Sequence, residues 1–146
     1  MRLISDNKQK ASAMKIPLGA LAYIVVTFAV QAVSHFVINT AHYAGVPYLR
    51  PEPIFALGIG SMVIQGVVLA WLYPCYYRNG SPVMEGWKFG LLTGSILVSY
   101  IALAEPAKYV VPSIPSWITV EAVVGLVQFS LAGIAIGLIN GARSRA

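Results

Sequence analysis

Four long apolar runs decide what this chain can fold into. They cover residues 16–38, 53–73, 86–104 and 117–140. A helix crossing about 30 Å of hydrocarbon needs about 20 mostly apolar residues, and each run is close to that length or longer. Between the runs lie breakers: Pro47, Pro51 and Pro53, then Pro74, Asn79, Gly80 and Pro82, then Pro106, Pro112 and Pro115. Proline has no N–H to give inside a helix and its ring clashes with the preceding turn, so these boundaries have a physical cause. Charged residues make up only 10% of the chain, against about 25% in soluble domains. So few charges cannot cover a water-facing surface, and the apolar excess has to face lipid. The fold expected is all-α, one transmembrane domain over residues 1–146, built as an antiparallel bundle of four spanning helices. Short connections make successive helices the expected neighbours.

The formal net charge of +5 does not point to nucleic acid, because the basic residues flank the apolar runs as orientation signals do. Arg2, Lys8, Lys10, Lys15, Arg78, Lys88, Arg143 and Arg145 fall on one side of the membrane, and only Arg50 and Lys108 on the other. This asymmetry predicts both termini in the cytoplasm and supports an even number of spans. Tyr23, Tyr48, Trp71, Tyr73, Tyr76, Tyr77, Trp87, Tyr109 and Trp117 lie mostly near span ends, where aromatic rings favour the headgroup layer. The first run exceeds the apolar core of a cleavable signal peptide, about 7–15 residues, and reads as a retained span. Cys75 is the single cysteine. With no second thiol and no neighbouring base, it reads as an inert interfacial side chain.

Helix association in lipid depends on close backbone approach through small residues. The third run carries Gly86, Gly90 and Gly94, and the fourth carries Gly133, Gly137 and Gly141. Both ladders lie toward the cytoplasmic side. They read as packing surfaces inside the bundle, with a homo-oligomer contact as the alternative. The second run offers Ala56 and Gly60, with Gly58 and Gly66 nearby.

Polar residues follow a pattern of their own. At 100° per residue, Gln31, His35, Asn39 and His42 fall within about an 80° arc of one helix. The second span adds Gly58, Ser61 and Gln65, and the fourth adds Glu121, Gly125 and Gln128. Lipid offers such groups no hydrogen bonds, so they are expected to face the bundle interior. Gln65 and Gln128 sit near mid-membrane and can reach one another or Gln31. His35, Asn39, His42, Glu105, Lys108 and Glu121 are expected to gather just inside the outer face, as a structural network that pairs Glu121 with His35 or Lys108, or as a ligand pocket. A shared metal on both histidines is disfavoured. Seven residues of helix rise about 10.5 Å, zinc needs each nitrogen at about 2.0–2.1 Å, and only a helix broken near Asn39 would bring His42 back. No cofactor is expected. The stretch "GIGSMVIQG" lacks the lysine and strand context of a phosphate loop.

The segment "LGIGSMVIQGVVLAWLYPCYYRNGSPVMEGWKFGLLTG", with Glu121, Gln128, Phe129, Gly133, Gly137 and Leu138 in the last run, resembles a group of small bacterial four-span membrane proteins. The resemblance covers about residues 20–140. It implies a four-span fold and a bacterial inner-membrane address, and it supplies no catalytic residues. The leading functional expectation is a non-enzymatic bundle that binds a partner membrane protein or a lipid-like ligand. The first alternative is an oligomeric transporter or channel subunit. The second is a membrane enzyme with Glu121 or Glu105 as acid–base and His35 as partner.

Overall fold

The computed structural model describes residues 14–50 and 52–141. Arg2, Lys8, Lys10, Arg143 and Arg145, invoked above for orientation, and Pro51 lie outside these residues. Helix α1 covers Lys15–Val33 and widens into a π-helical turn over Ser34–Ile38. A short α2 covers Thr40–Ala44, α3 covers Phe55–Tyr76, and α4 covers Pro82–Ser99 with a second π-helical turn over Tyr100–Ala104. Helix α5 covers Ile114–Gly141. No strand occurs among the described residues. Four of the helical segments are long and apolar enough to cross a membrane. The chain is therefore an all-α, multi-pass membrane protein in contact with the bilayer. One end of the bundle carries Lys15, Arg78 and Lys88 (the basic end). The other carries His42, Arg50 and Lys108 (the histidine end).

Local chemistry explains the helix ends. Pro82 stands at the first position of α4, where its missing N–H is not needed. Asn79, at φ 61°, supplies the left-handed residue that the tight turn before it requires, a conformation asparagine tolerates better than most. Pro74 does not end α3, contrary to the boundary expected from sequence. The helix runs on to Tyr76, and Tyr77 N–H still reaches the Tyr73 carbonyl at 3.0 Å. Proline near a helix end removes only one bond, so the last turn survives it.

Lateral packing departs from the expectation that successive helices are neighbours. Across the bundle the order is α3, α1, α5, α4. Helices α4 and α5 make the closest pair, α1 lies against both α5 and α3, and α3 barely meets α4. The short loop between α3 and α4 fixes their antiparallel sense but not their contact. Contact is set by small residues. A Cβ on Gly133 would lie 2.8 Å from the Gly90 Cα, and one on Gly86 would lie 2.9 Å from the Ile134 Cα. Gly94 would strike the Phe129 side chain at 2.7 Å. The two ladders thus interlock backbone to backbone, which raises dispersion contacts where lipid gives no hydrophobic drive. Helix α3 docks on α1 through Gly66 over Ala20 and Ala70 over Gly19. These contacts lie in the half nearer the basic end. There Tyr23, Leu69, Tyr73, Phe89, Phe129, Ala132 and Ile136 form a packed core. Lys15 Nζ closes that end by donating to the Asn140 carbonyl at 2.8 Å, a cation on a helix C-terminus.

Two tyrosines correct the reading of aromatics as headgroup anchors. Tyr23 and Tyr73 are fully buried, each at 0% exposure. Trp117 is also buried, and its indole N–H donates to the Ile101 carbonyl at 3.0 Å. That carbonyl lies in the π-helical turn of α4, so the indole serves a backbone group loosened by the wider turn.

Candidate functional site

Toward the histidine end, α3 leaves its neighbours. Residues 54–61 are all exposed, and a Cβ on Gly58 or Gly60 would meet nothing within 4 Å. Gly60, a packing position by its sequence spacing, meets no neighbour, and Gly58 borders the cleft with Ser61 and Gln65, as its helical phase predicts. The divergence opens a cleft of about 640 Å³ between α3 and α4, walled by all four spanning helices. Thr27 and Gln31 enter from α1, Ser61 and Gln65 from α3, and Glu121 and Gln128 from α5. Met62, Ile96, Leu97 and Ile101 give the cleft an apolar side.

The polar groups are tied together in pairs. Gln31 Nε2 donates to Gln128 Oε1 at 2.5 Å. The Tyr23 hydroxyl donates to Gln65 Oε1, and Gln65 Nε2 reaches Ser61 Oγ at 3.4 Å. Gln128 is only 4% exposed and Thr27 is also 4% exposed. Thr27 Oγ1 is buried with no hydrogen-bond partner among the described residues, although it lines the cleft. A buried hydroxyl without a partner is uncommon and needs a reason.

A second network sits at the histidine end. The π-helical turn closes through Asn39 N–H to the Ser34 carbonyl at 2.8 Å. Asn39 then leaves helical geometry, at φ −111° and ψ 24°. The break redirects the chain, and α2 brings Tyr43 back beneath α1. The His35 and Tyr43 rings stack at 3.7 Å with 7° between planes. The Tyr43 hydroxyl donates to Glu121 Oε1 at 2.9 Å and lies 3.5 Å from Ser34 Oγ. Asn39 Nδ2 donates to Ser34 Oγ at 3.0 Å. His35 Nδ1 donates to the Gln31 carbonyl at 3.1 Å. Burial pushes the Tyr43 hydroxyl well above the usual tyrosine range; the contact with Ser34 opposes this, and the Glu121 carboxyl adds to it. Tyr43 therefore remains a donor at any ordinary pH.

The structure thus gathers Gln31, Gln65, Glu121 and Gln128 on one cleft, with His35 and Asn39 beside it. The remaining expected members stand apart. Glu121 is not paired with His35 or Lys108; its partner is Tyr43. His42 leans on Trp117 with ring centres 5.7 Å apart and has Ser116 Oγ 3.4 Å from its Nδ1. Lys108 Nζ donates to the Tyr100 hydroxyl at 2.9 Å and lies over that ring at 4.7 Å; this hydrogen bond raises the lysine pKa. Burial raises the Glu105 carboxyl, opposed by Lys108. The ion pair found among the described residues is elsewhere, between Glu85 and Lys88. His35 makes no hydrogen bond to Glu121; its Nδ1 is turned to the Gln31 carbonyl. No cluster of three or more His, Cys, Asp or Glu side chains among the described residues could hold a metal.

Sequence reasoning missed Tyr43, Ser34, Thr27 and Tyr23 as members of these networks. For Tyr43 the available signal was the tyrosine directly after His42, but ideal helical phase carried through Asn39 points it elsewhere.

A separate groove of about 560 Å³ runs between α1 and α5. Its walls are mostly aliphatic, including Ala29, Val30, Val123 and Val127, with Ser34, Asn39 and Thr119 among them.

Fold and site together define a four-span helical membrane protein with a laterally open, amide-lined cleft. No family model, curated protein or solved structure matches the chain.

Proposed function

We propose that this protein is a non-enzymatic membrane binding protein whose cleft takes an amphipathic, lipid-like molecule from the bilayer. One observation carries the reading: the gap between α3 and α4 has a hydrogen-bonding floor of Gln31, Gln65 and Gln128 and an apolar side of Met62, Ile96 and Ile101. A molecule entering sideways would set a polar group on the amides and keep its hydrocarbon against α4 and the lipid. Both π-helical turns border this region, and such turns often accompany functional sites. The packed core of Tyr23, Leu69, Tyr73, Phe89 and Ile136 closes the half nearer the basic end. That closure favours binding over a continuous pore through one copy.

The proposed setting is a bacterial inner membrane with both termini in the cytoplasm. It rests on the distribution of lysine and arginine and on the resemblance of the second to fourth spans described above. In this orientation the cleft opens toward the non-cytoplasmic half of the bilayer.

Mass spectrometry of the full chain released gently from native membranes tests the binding. The wild-type protein is expected to carry an amphiphile that Gly58→Trp, which fills the cleft, displaces. Leu57→Trp, on the lipid-facing side at 70% exposure, is expected to keep it. Identical bound species in all three proteins would overturn the proposal.

A further inference from the structure

The chemistry of the cleft wall narrows the ligand class. Among the described residues lining it, Glu121 is the one ionisable carboxylate and there is no lysine, arginine or histidine. Only Oε1 of Glu121 is engaged, by the Tyr43 hydroxyl. The second oxygen accepts no hydrogen bond from a described residue, and it is not among the sealed, unpartnered atoms. It therefore keeps accessible surface on a side chain that lines the cleft. A bare carboxylate oxygen at membrane depth is expensive unless a cation meets it or it takes up a proton, and a cationic occupant would hold it ionised. No cation among the described residues lies within ion-pair distance of Glu121; the ion pair found is Lys88 with Glu85. Lys108 is held on the Tyr100 hydroxyl and ring, and His35 Nδ1 is spent on the Gln31 carbonyl. Thr27, Gln31, Gln65 and Gln128 add a polar but uncharged part to the same wall, so the carboxyl of Glu121 is its distinguishing group.

We infer that the cleft takes a ligand with a cationic head, an amine or a quaternary onium, carried on an apolar body. This rests on the cleft-binding proposal and adds the charge of its ligand. The head sits against the free oxygen of Glu121, and the body lies along Met62, Ile96 and Ile101. An anionic head would meet an unscreened carboxylate with no compensating cation in the wall.

The test uses full-length protein in nanodiscs and three aromatic probes measured against empty nanodiscs: tetraphenylphosphonium, tetraphenylborate and triphenylphosphine oxide. The first two match in size and differ in sign; the third is neutral. Saturable binding of the phosphonium is expected, weakened about tenfold or more by Glu121→Gln, the scale of one charge-assisted contact, and partly restored in Glu121→Asp. Leu57→Trp, at 70% exposure on the lipid-facing side, is expected to keep phosphonium binding, and circular dichroism of Glu121→Gln is expected to match wild type, which separates loss of charge from loss of structure. If Glu121→Asp, which keeps the charge, loses phosphonium binding as fully as Glu121→Gln, the role of Glu121 is structural and the inference falls. If all three probes bind alike and none responds to Glu121→Gln, or if the borate is preferred, the cationic class is wrong while the cleft reading stands. If no probe binds the wild-type protein above empty nanodiscs, both fail.

Discussion

The Tyr43 hydroxyl donates to Glu121 Oε1 at 2.9 Å across 78 residues of chain. This contact joins the short helix after the first span to the wall of the cleft. It depends on a break in helical geometry at Asn39, because an unbroken helix would carry Tyr43 away from α5. The same hydroxyl stands beside Ser34, and its ring carries His35. One side chain thus fixes the carboxylate and the histidine that border the candidate site.

Burial raises the folded-state pKa of Tyr43 above its ordinary value of 10.0. The associated stability is complete below pH 10 and is lost as pH rises through the folded value. In an alkaline titration followed by phenolate absorbance, the difference between wild type and Tyr43→Phe should therefore emerge only after the exposed tyrosines have ionised. At neutral pH, Tyr43→Phe should lower stability by about 1–3 kcal/mol, because Glu121 loses a donor. Early ionisation of Tyr43 would mean that the hydroxyl is not buried against Glu121.

The glycines separate into two kinds. Gly90→Leu drives a side chain into the backbone of α5 and should cost about 3 kcal/mol or more, beyond ordinary overpacking. Gly60→Ala meets open space and should be neutral, or stabilising by up to about 1 kcal/mol through helix propensity. Unfolding in mixed detergent measures both. Equal losses would show that α3 packs more closely than described.

Gln128→Leu removes the acceptor of Gln31. Polar contacts between membrane helices contribute about 0.6–2 kcal/mol, and the variant should lose an amount in that range. The double variant Gln31→Leu, Gln128→Leu should recover part of it, because no amide is then left unpaired.

Much of the fold was legible because the signals are local. Run length and the prolines at the gaps mark the four spans, and glycine spacing marks the two surfaces that interlock. Which helices touch was not legible. Short loops set direction, while contact between α1 and α3 turns on Gly66 meeting Ala20, a match between distant residues. The site was harder. Helical phase places Gln31, Gln65 and Gln128 on inward arcs, but the two π-helical turns shift the register of everything beyond Ser34 and Tyr100. That shift takes His42 to Trp117, leaves Lys108 on Tyr100 and brings in Tyr43. Burial of Tyr23 was equally hidden, since its partner Gln65 lies 42 residues away.

Cys75, the single cysteine, is exposed at the basic end and reports orientation without any substitution. With both termini in the cytoplasm, an impermeant maleimide should label it in inverted vesicles and leave it unlabelled in intact spheroplasts. The reverse pattern would invert the proposed topology and place the cleft in the cytoplasmic half of the bilayer.

The most direct measurement is a map of photo-adducts from an alkylammonium probe with a diazirine in its chain, applied to the full-length protein in nanodiscs. Adducts should concentrate on Met62, Ile96 and Ile101 and fall away in Gly58→Trp. Adducts spread evenly over the lipid-facing side chains Val25, Ile64 and Leu131, unchanged by that substitution, would contradict a ligand-binding cleft between α3 and α4.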